Sequence, residues 1–244
     1  MMETVLFVDN LNKKIRRREI IKDVSFTVGK GDICGFIGPN GAGKTTIIRM
    51  LTSLVKPTSG QIQLNGYDVV TQRKEALQNL GAIVESPIFF SHMGGEEVLM
   101  NLALLIPNKT KSERLAKVLE VLEVVGLSDR KKDKVSTYSL GMKQRLGIAQ
   151  ALLNDPQIII LDEPANGLDP LGMVELRELI LKLNTEQGIT FFISSHLLDE
   201  LQKICNKLVI IKSGTIAWQG AKDDFLVLGN QDATLEEVFI KLIQ

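Results

Sequence analysis

A mixed α/β fold, with a parallel sheet covered on both faces and a smaller antiparallel layer beside it, is what this 244-residue sequence predicts. Three observations lead there. Ile158-Ile159-Ile160-Leu161 and Thr190-Phe191-Phe192-Ile193 are continuous apolar runs, which suit strands buried on both faces. Asp23–Val28 and Gln61–Leu64 alternate polar and apolar residues and run into Gly-Lys-Gly and Asn-Gly turns, the pattern of half-buried antiparallel strands. Between these, Gly38-Pro39-Asn40-Gly41-Ala42-Gly43-Lys44-Thr45-Thr46 fits G-x-x-x-x-G-K-[ST] and joins a short apolar strand, Asp32–Ile37, to an apolar-faced helix.

Taken in chain order, Thr4–Val8 opens the antiparallel layer. The glycine-containing loop follows the first buried strand, and each of its residue types has a physical task. Glycines let successive N–H groups point at one anion. Lys44 would reach the β- and γ-phosphates and the Thr45 hydroxyl would hold Mg²⁺, while the helix beginning near Lys44 adds the positive end of its dipole. A nucleoside triphosphate site is expected. From about residue 86 to 153 the character changes to helices, Glu96–Leu105, Ser112–Val125 and Met142–Leu153, broken at Pro107 and Gly126. Leu115, Val118, Leu119 and Leu122 form an i, i+3, i+4, i+7 stripe that reads as core packing. Asp169-Pro170 supplies an N-cap and a first-turn proline, Val174, Leu176, Leu179, Ile180 and Leu183 mark one helix face, and Gly188 ends it. A last helix opens at the Thr234 cap. The expected organisation is a single domain over 1–244: an α/β core with its antiparallel layer (1–85 and 154–220), an inserted helical subdomain (86–153) and a helical tail (221–244).

Composition narrows the function. With 29 basic and 29 acidic residues the formal charge is zero, which argues against a general attraction to nucleic acid, although Arg16-Arg17-Arg18 is a short local exception. Cys34 and Cys205 are too few and too separated for a disulfide framework or zinc site and read as reduced thiols. The start lacks the features of a signal peptide, and no apolar run approaches the ~20 residues of a membrane span. A cytoplasmic setting is expected, with any membrane role supplied by a partner.

Three further stretches carry chemistry. Ile158–Leu161 ends in Asp162-Glu163; at the carboxyl end of a parallel strand Asp162 would stand by the metal, and alternation would turn Glu163 elsewhere, toward the γ-phosphate. Ser139-Leu140-Gly141-Met142-Lys143-Gln144-Arg145 precedes a helix and offers a second anion site, or simply a serine cap. His196, after the last buried strand, is placed for a γ-phosphate contact, whereas His92 reads as structural.

Together these motifs resemble the ATP-binding subunit of an ABC transporter along essentially the whole chain: loop 38–45, signature 138–144, acid pair 158–163, Gly167-Leu168-Asp169, and His196. The resemblance implies a P-loop NTPase (ABC ATPase) core, ATP and Mg²⁺ as ligands, and two cassettes closing face to face over two nucleotides. Ser139 and Gly141 would then bind the partner's ATP, Glu163 would be the general base, His196 the γ-phosphate switch, and Asp169 an interface contact. A homodimer, an integral-membrane permease and a place on the inner face of the cell membrane follow from the same resemblance. There are three departures. Glu85 stands where the family has glutamine, in reach of both metal and chemistry; Leu140 replaces a small residue of the signature; and Ile15, or an apolar neighbour, stands where an aromatic would cover adenine. The first two resemble the exporter ATPases of lantibiotic immunity and bacitracin resistance. The alternatives are an exporter of another drug or lipid-like substrate, a soluble ABC ATPase acting on DNA or ribosomes, a simple P-loop kinase or GTPase, and a non-hydrolysing regulator. Long coiled coils or a second cassette would mark DNA- and ribosome-acting members, and neither is in the sequence.

Overall fold

The computed structural model describes residues 3–229 and 233–243. β1 (Thr4–Ile15) and β2 (Arg18–Gly29), twelve residues each, form an antiparallel hairpin. β3 (Ile33–Ile37) runs through the glycine-containing loop into α1 (Lys44–Leu51). β4 (Ser59–Leu64) and β5 (Tyr67–Asp68) meet at Asn65-Gly66, whose φ angles of 50° and 81° suit a type I′ turn. Then come α2 (Arg73–Gln78), β6 (Leu80–Ile83), α3 (Gly95–Ala103), α4 (Lys111–Val124) and α5 (Leu140–Leu152). β7 (Ile158–Asp162), α6 (Pro170–Gln187), β8 (Thr190–Ser194) and α7 (Leu198–Ile204) complete the alternating part. The hairpin β9 (Lys207–Lys212) and β10 (Thr215–Ala221), then α8 (Lys222–Leu226) and α9 (Leu235–Ile243), finish the chain.

Two sheets result. The larger has the order β10-β9-β3-β8-β7-β6, parallel except for its β10 edge; the smaller, β2-β1-β4-β5, is antiparallel. Strand alternation divides the larger sheet's side chains between two cores. Ile158, Ile160 and Phe192 pack toward the antiparallel sheet and α1, whereas Ile159, Leu161, Phe191 and Ile193 pack toward α3–α6. An aromatic cluster joins the two sheets: Phe192 lies 5.6 Å from Phe26 of β2 and 5.1 Å from Phe36 of β3. With both faces covered, only the strand ends are free for chemistry, and the loops after β3, β7 and β8 leave from the same carboxyl edge.

Several elements differ from expectation. β1 and β2 extend well past Val8 and before Asp23, and β6, β9 and β10 appear where no motif announces them. The helical stripe is rotated: Val118 and Leu122 are buried as expected, but Val121 joins them while Leu115 is exposed and Leu119 only half-buried. The face that α4 buries is the one turned to α3 and α5, and a Thr110–Glu113 capping box sets where the helix begins. The α6 caps hold as read: Asp169 Oδ1 accepts from the Gly172 N–H at 3.0 Å, and Gly188 takes the left-handed conformation at φ 67°. Thr234 caps α9. Both cysteines are buried as free thiols, and burial pushes the Cys205 thiol up to about 12.

Candidate active site

The loop 38–46 is shaped by its neighbours as much as by its own sequence. A Cβ on Gly38 would come within 2.5 Å of the Ile211 carbonyl oxygen, and one on Gly43, which sits at φ 110°, within 2.5 Å of Ile21 Cδ1. The loop therefore fits against β2 and β9 only with glycine at both places. Its lysine is buried and turned back over the loop, with Nζ donating to the Gly38 carbonyl at 2.6 Å. α1 begins at Lys44 with no side-chain cap and no acid in its first turn, so its leading N–H groups are left for an anion.

The acid pair arrives from β7. Asp162 is the strand's last residue, buried, and registered opposite Ser194 of β8. That register lets Ser194 Oγ donate to Asp162 Oδ1 at 2.5 Å while accepting from the Glu163 N–H at 3.0 Å. Glu163 is not turned by strand alternation, as expected from sequence, because the strand has ended; a left-handed backbone, φ 50°, turns it instead. The turn aims its carboxylate at two cations or potential cations. Oε2 lies 2.6 Å from His196 Nδ1 and accepts from the His196 backbone N–H at 3.2 Å, and Oε1 is 3.9 Å from Lys44 Nζ.

These groups surround a cavity of about 510 Å³. Pro39, Asn40, Gly41, Gly43, Lys44, Thr45, Thr46, Glu163 and His196 line it, as the sequence leads one to expect, and Ala42 is buried behind them. Two liners were not foreseen. Asn166 is reached by the tight turn after Glu163, its N–H bonded to the Glu163 carbonyl. Ile20 enters from β2 and displaces the expected Ile15, which lies half-exposed at the far end of the hairpin and does not line the cavity. Glu85 is also outside it: its φ of 66° and an ion pair with Arg49 of α1 hold its carboxylate on the flank of that helix. Ser139, Gly141 and Asp169 form a separate group. Ser139 Oγ caps α5 by accepting from Met142 N–H at 3.2 Å, Asp169 caps α6, and a Cβ on Gly141 would stand 3.9 Å from Gly172 Cα.

The donor set suits its expected ligands. Buried Lys44, the close-fitting loop and the uncapped helix start fit a polyphosphate. The Thr45 hydroxyl and Asp162 carboxylate fit Mg²⁺, a hard cation that takes few protein ligands. Among the described residues no group of three or more His, Cys, Asp or Glu gathers as a fuller metal site.

Sheet order, phosphate loop and paired acids define a P-loop ATPase. Residues 21–166 match the family described as ABC transporter. The chain is 46% identical over 215 residues to the bacitracin transport ATP-binding protein BcrA of Bacillus licheniformis, spanning 88% of this chain and 69% of that protein. It is 39% identical to the lantibiotic transport ATP-binding protein SrtF of Streptococcus pyogenes over 96% of each. A solved ATP-binding subunit of an ABC transporter superimposes with a TM-score of 0.85 at 30% identity, over 98% of this chain and 99% of that one. The chain belongs to the ABC transporter family, as an ATP-binding and ATP-hydrolysing subunit; no helix among the described residues is long and apolar enough to cross a membrane.

Proposed function

We propose that this ATPase drives a separate integral-membrane permease that moves a membrane-active peptide antibiotic of the bacitracin or lantibiotic kind outward, for self-protection or resistance. The observation that carries the reading is the identity of 39–46% to proteins named for bacitracin and lantibiotic transport. Glu85, standing where the family has glutamine, supports the same branch.

Lys44 and the N–H groups of the loop and of α1 hold the phosphates. Thr45 and Asp162 would hold Mg²⁺, which would neutralise charge on the phosphate oxygens. Glu163 takes the proton of the attacking water, and His196 and Lys44, which flank its carboxylate, also face the phosphate. Ser139 and Gly141 complete the nucleotide site of a second, identical cassette, with Asp169 at the interface between the two. The helical segment 86–153 acts as a subdomain on the α/β core. At its start, Ile88 and Phe90, 93% and 68% exposed just beyond Glu85, offer an apolar seat for a short cytoplasmic helix of the permease, which keeps the subunit at the inner face of the membrane. Glu85, held by Arg49, tunes that coupling.

The test compares Glu163→Gln with Glu85→Gln. In cells carrying the chain and its permease, Glu163→Gln is expected to lose peptide-antibiotic resistance, and the purified variant to lose about 10²–10⁴-fold in turnover while dimerising in Mg-ATP by light scattering. Glu85→Gln is expected to retain turnover within about tenfold. Undiminished resistance in Glu163→Gln overturns the transport reading; a dead Glu85→Gln beside an active Glu163→Gln reverses the two roles.

A further inference from the structure

Glu163 and His196 face the phosphate loop together, yet few contacts of their own hold them there. The His196 ring is half-exposed, and among the described residues its hydrogen bonds go to Glu163 alone. Glu163 stands on a left-handed turn past the end of β7. Each residue leads into a helix. From Glu163 the chain passes through Pro164 and Ala165 to α6, and from His196 it enters α7, seven residues long and without a side-chain cap. The spacing of these two helices therefore decides where the two side chains meet.

Close packing does not by itself fix that spacing. A small cavity of about 30 Å³ lies between the helices, lined by Pro164, Ala165 and Ser195 from the catalytic segments and by Leu176 and Leu201 from α6 and α7. Side chains around an unfilled space lack contacts on that side. Lining the same cavity are Arg177 of α6 and Glu200 of α7, joined Nη1 to Oε2 at 2.7 Å with side chains only 22% and 21% exposed. Glu200 lies four residues beyond His196, in the first turn of α7, so the pair grips the turn nearest the histidine. Lys203 bonds the other oxygen of the same carboxylate at 2.6 Å, but from within α7, so it ties that helix to nothing else.

We propose that Arg177 and Glu200 are positioning residues for ATP hydrolysis, their ion pair bridging α6 and α7 beside the cavity and so holding His196 against Glu163. This rests on Glu163 and His196 being the groups that act at the γ-phosphate. Neither Arg177 nor Glu200 lines the nucleotide cavity, so losing the pair leaves ATP binding intact and slows the hydrolysis of bound ATP.

Steady-state ATPase kinetics on the full chain test it, together with the ring resonances of its two isotope-labelled histidines, His92 and His196. Arg177→Met and Glu200→Gln should each lower kcat about tenfold with KM for ATP unchanged, because a small misplacement of reacting groups is costly. Both should move the His196 resonance and leave that of His92 in place. Arg177→Lys, which keeps the single ion pair, should recover most of the rate. Lys203→Gln takes a charge from the same carboxylate without cutting the bridge, and should stay within about twofold of the wild type. The proposal is overturned if Arg177→Met and Glu200→Gln turn over like the wild type, if KM rises in step with the lost rate, if both histidine resonances move alike, or if Lys203→Gln is as slow as Glu200→Gln. Glu163→Gln separates the two levels: wild-type turnover in that variant removes the assignment of the base on which the pair's role rests, whereas a slow Glu163→Gln beside a wild-type-like Arg177→Met overturns the pair alone.

Discussion

Ser194 gives the sharpest test of how the acid pair is held. Its hydroxyl donates to buried Asp162 at 2.5 Å and accepts from the Glu163 N–H at 3.0 Å. In Ser194→Ala the Glu163 N–H keeps a second acceptor, the residue 194 carbonyl at 3.1 Å, so the cost there is small. Asp162 loses a donor to a charged oxygen in a buried position, and bonds of that kind contribute about 1.5–3 kcal/mol. A loss of about 2 kcal/mol in a chain of this size lowers Tm by about 4–8 °C. The catalytic effect is separate. Glu163 is held in a left-handed backbone partly by this hydroxyl, and misplacing it should cut kcat about 10–100-fold with KM for ATP nearly unchanged. Ser194→Thr keeps the hydroxyl and should restore most of both. Steady-state ATPase kinetics with calorimetric unfolding read the two effects side by side. An alanine variant that melts at the wild-type temperature and turns over at the wild-type rate would refute the idea that this hydroxyl organises the pair.

Phe192→Ala should destabilise by about 3–5 kcal/mol, since it empties a buried aromatic cluster that ties β8 to both sheets; denaturant midpoints would show it, and a loss below about 1 kcal/mol would mean the sheets are joined elsewhere. Glu200, which pairs with Arg177 and Lys203, gives a pH signature. Burial alone would raise its carboxyl, but the hydrogen bonds and charges of Lys203 and Arg177 outweigh that and hold it below the usual value. A lowered folded value means stability that is full above the unfolded carboxylate range, about 4.3, and lost as pH falls through the folded value. The Tm gap between wild type and Glu200→Gln should therefore stay constant from pH 7 to about 5 and close below about 4; a gap that widens in acid reverses the sign.

The parts of the site that announce themselves in sequence are those where one local geometry demands one residue type. Gly38, Gly43 and Lys44 at fixed spacing are legible because the loop cannot close around an anion otherwise. The apolar run into Asp162-Glu163 is legible because a strand covered on both faces has nowhere but its end for a carboxylate. The α6 caps are legible for the same local reason. What escaped depends on contacts between distant segments. Ile20 lies at a register slip between two strands, which a reading of β2 alone does not show. Ser194 looks like an ordinary strand-end serine until β7 is registered against β8. Leu115 satisfies helical spacing, yet the face α4 buries is decided by its partners, so the stripe centres one position round. β9 and β10 needed the Ser213-Gly214 turn, at φ 50° and 84°, to be read as a hairpin signal.

The strand that ends in Asp162, one place in from the β6 edge, serves two interiors at once, odd-numbered residues one way and even-numbered the other. Its length is thereby frozen. Inserting or deleting a single residue between Ile158 and Leu161 would exchange the contents of both interiors and rotate the terminal carboxylate half a turn, so variation in this chain is confined to swaps of side chain there, and changes of length belong to the hairpin tips and the helical insert.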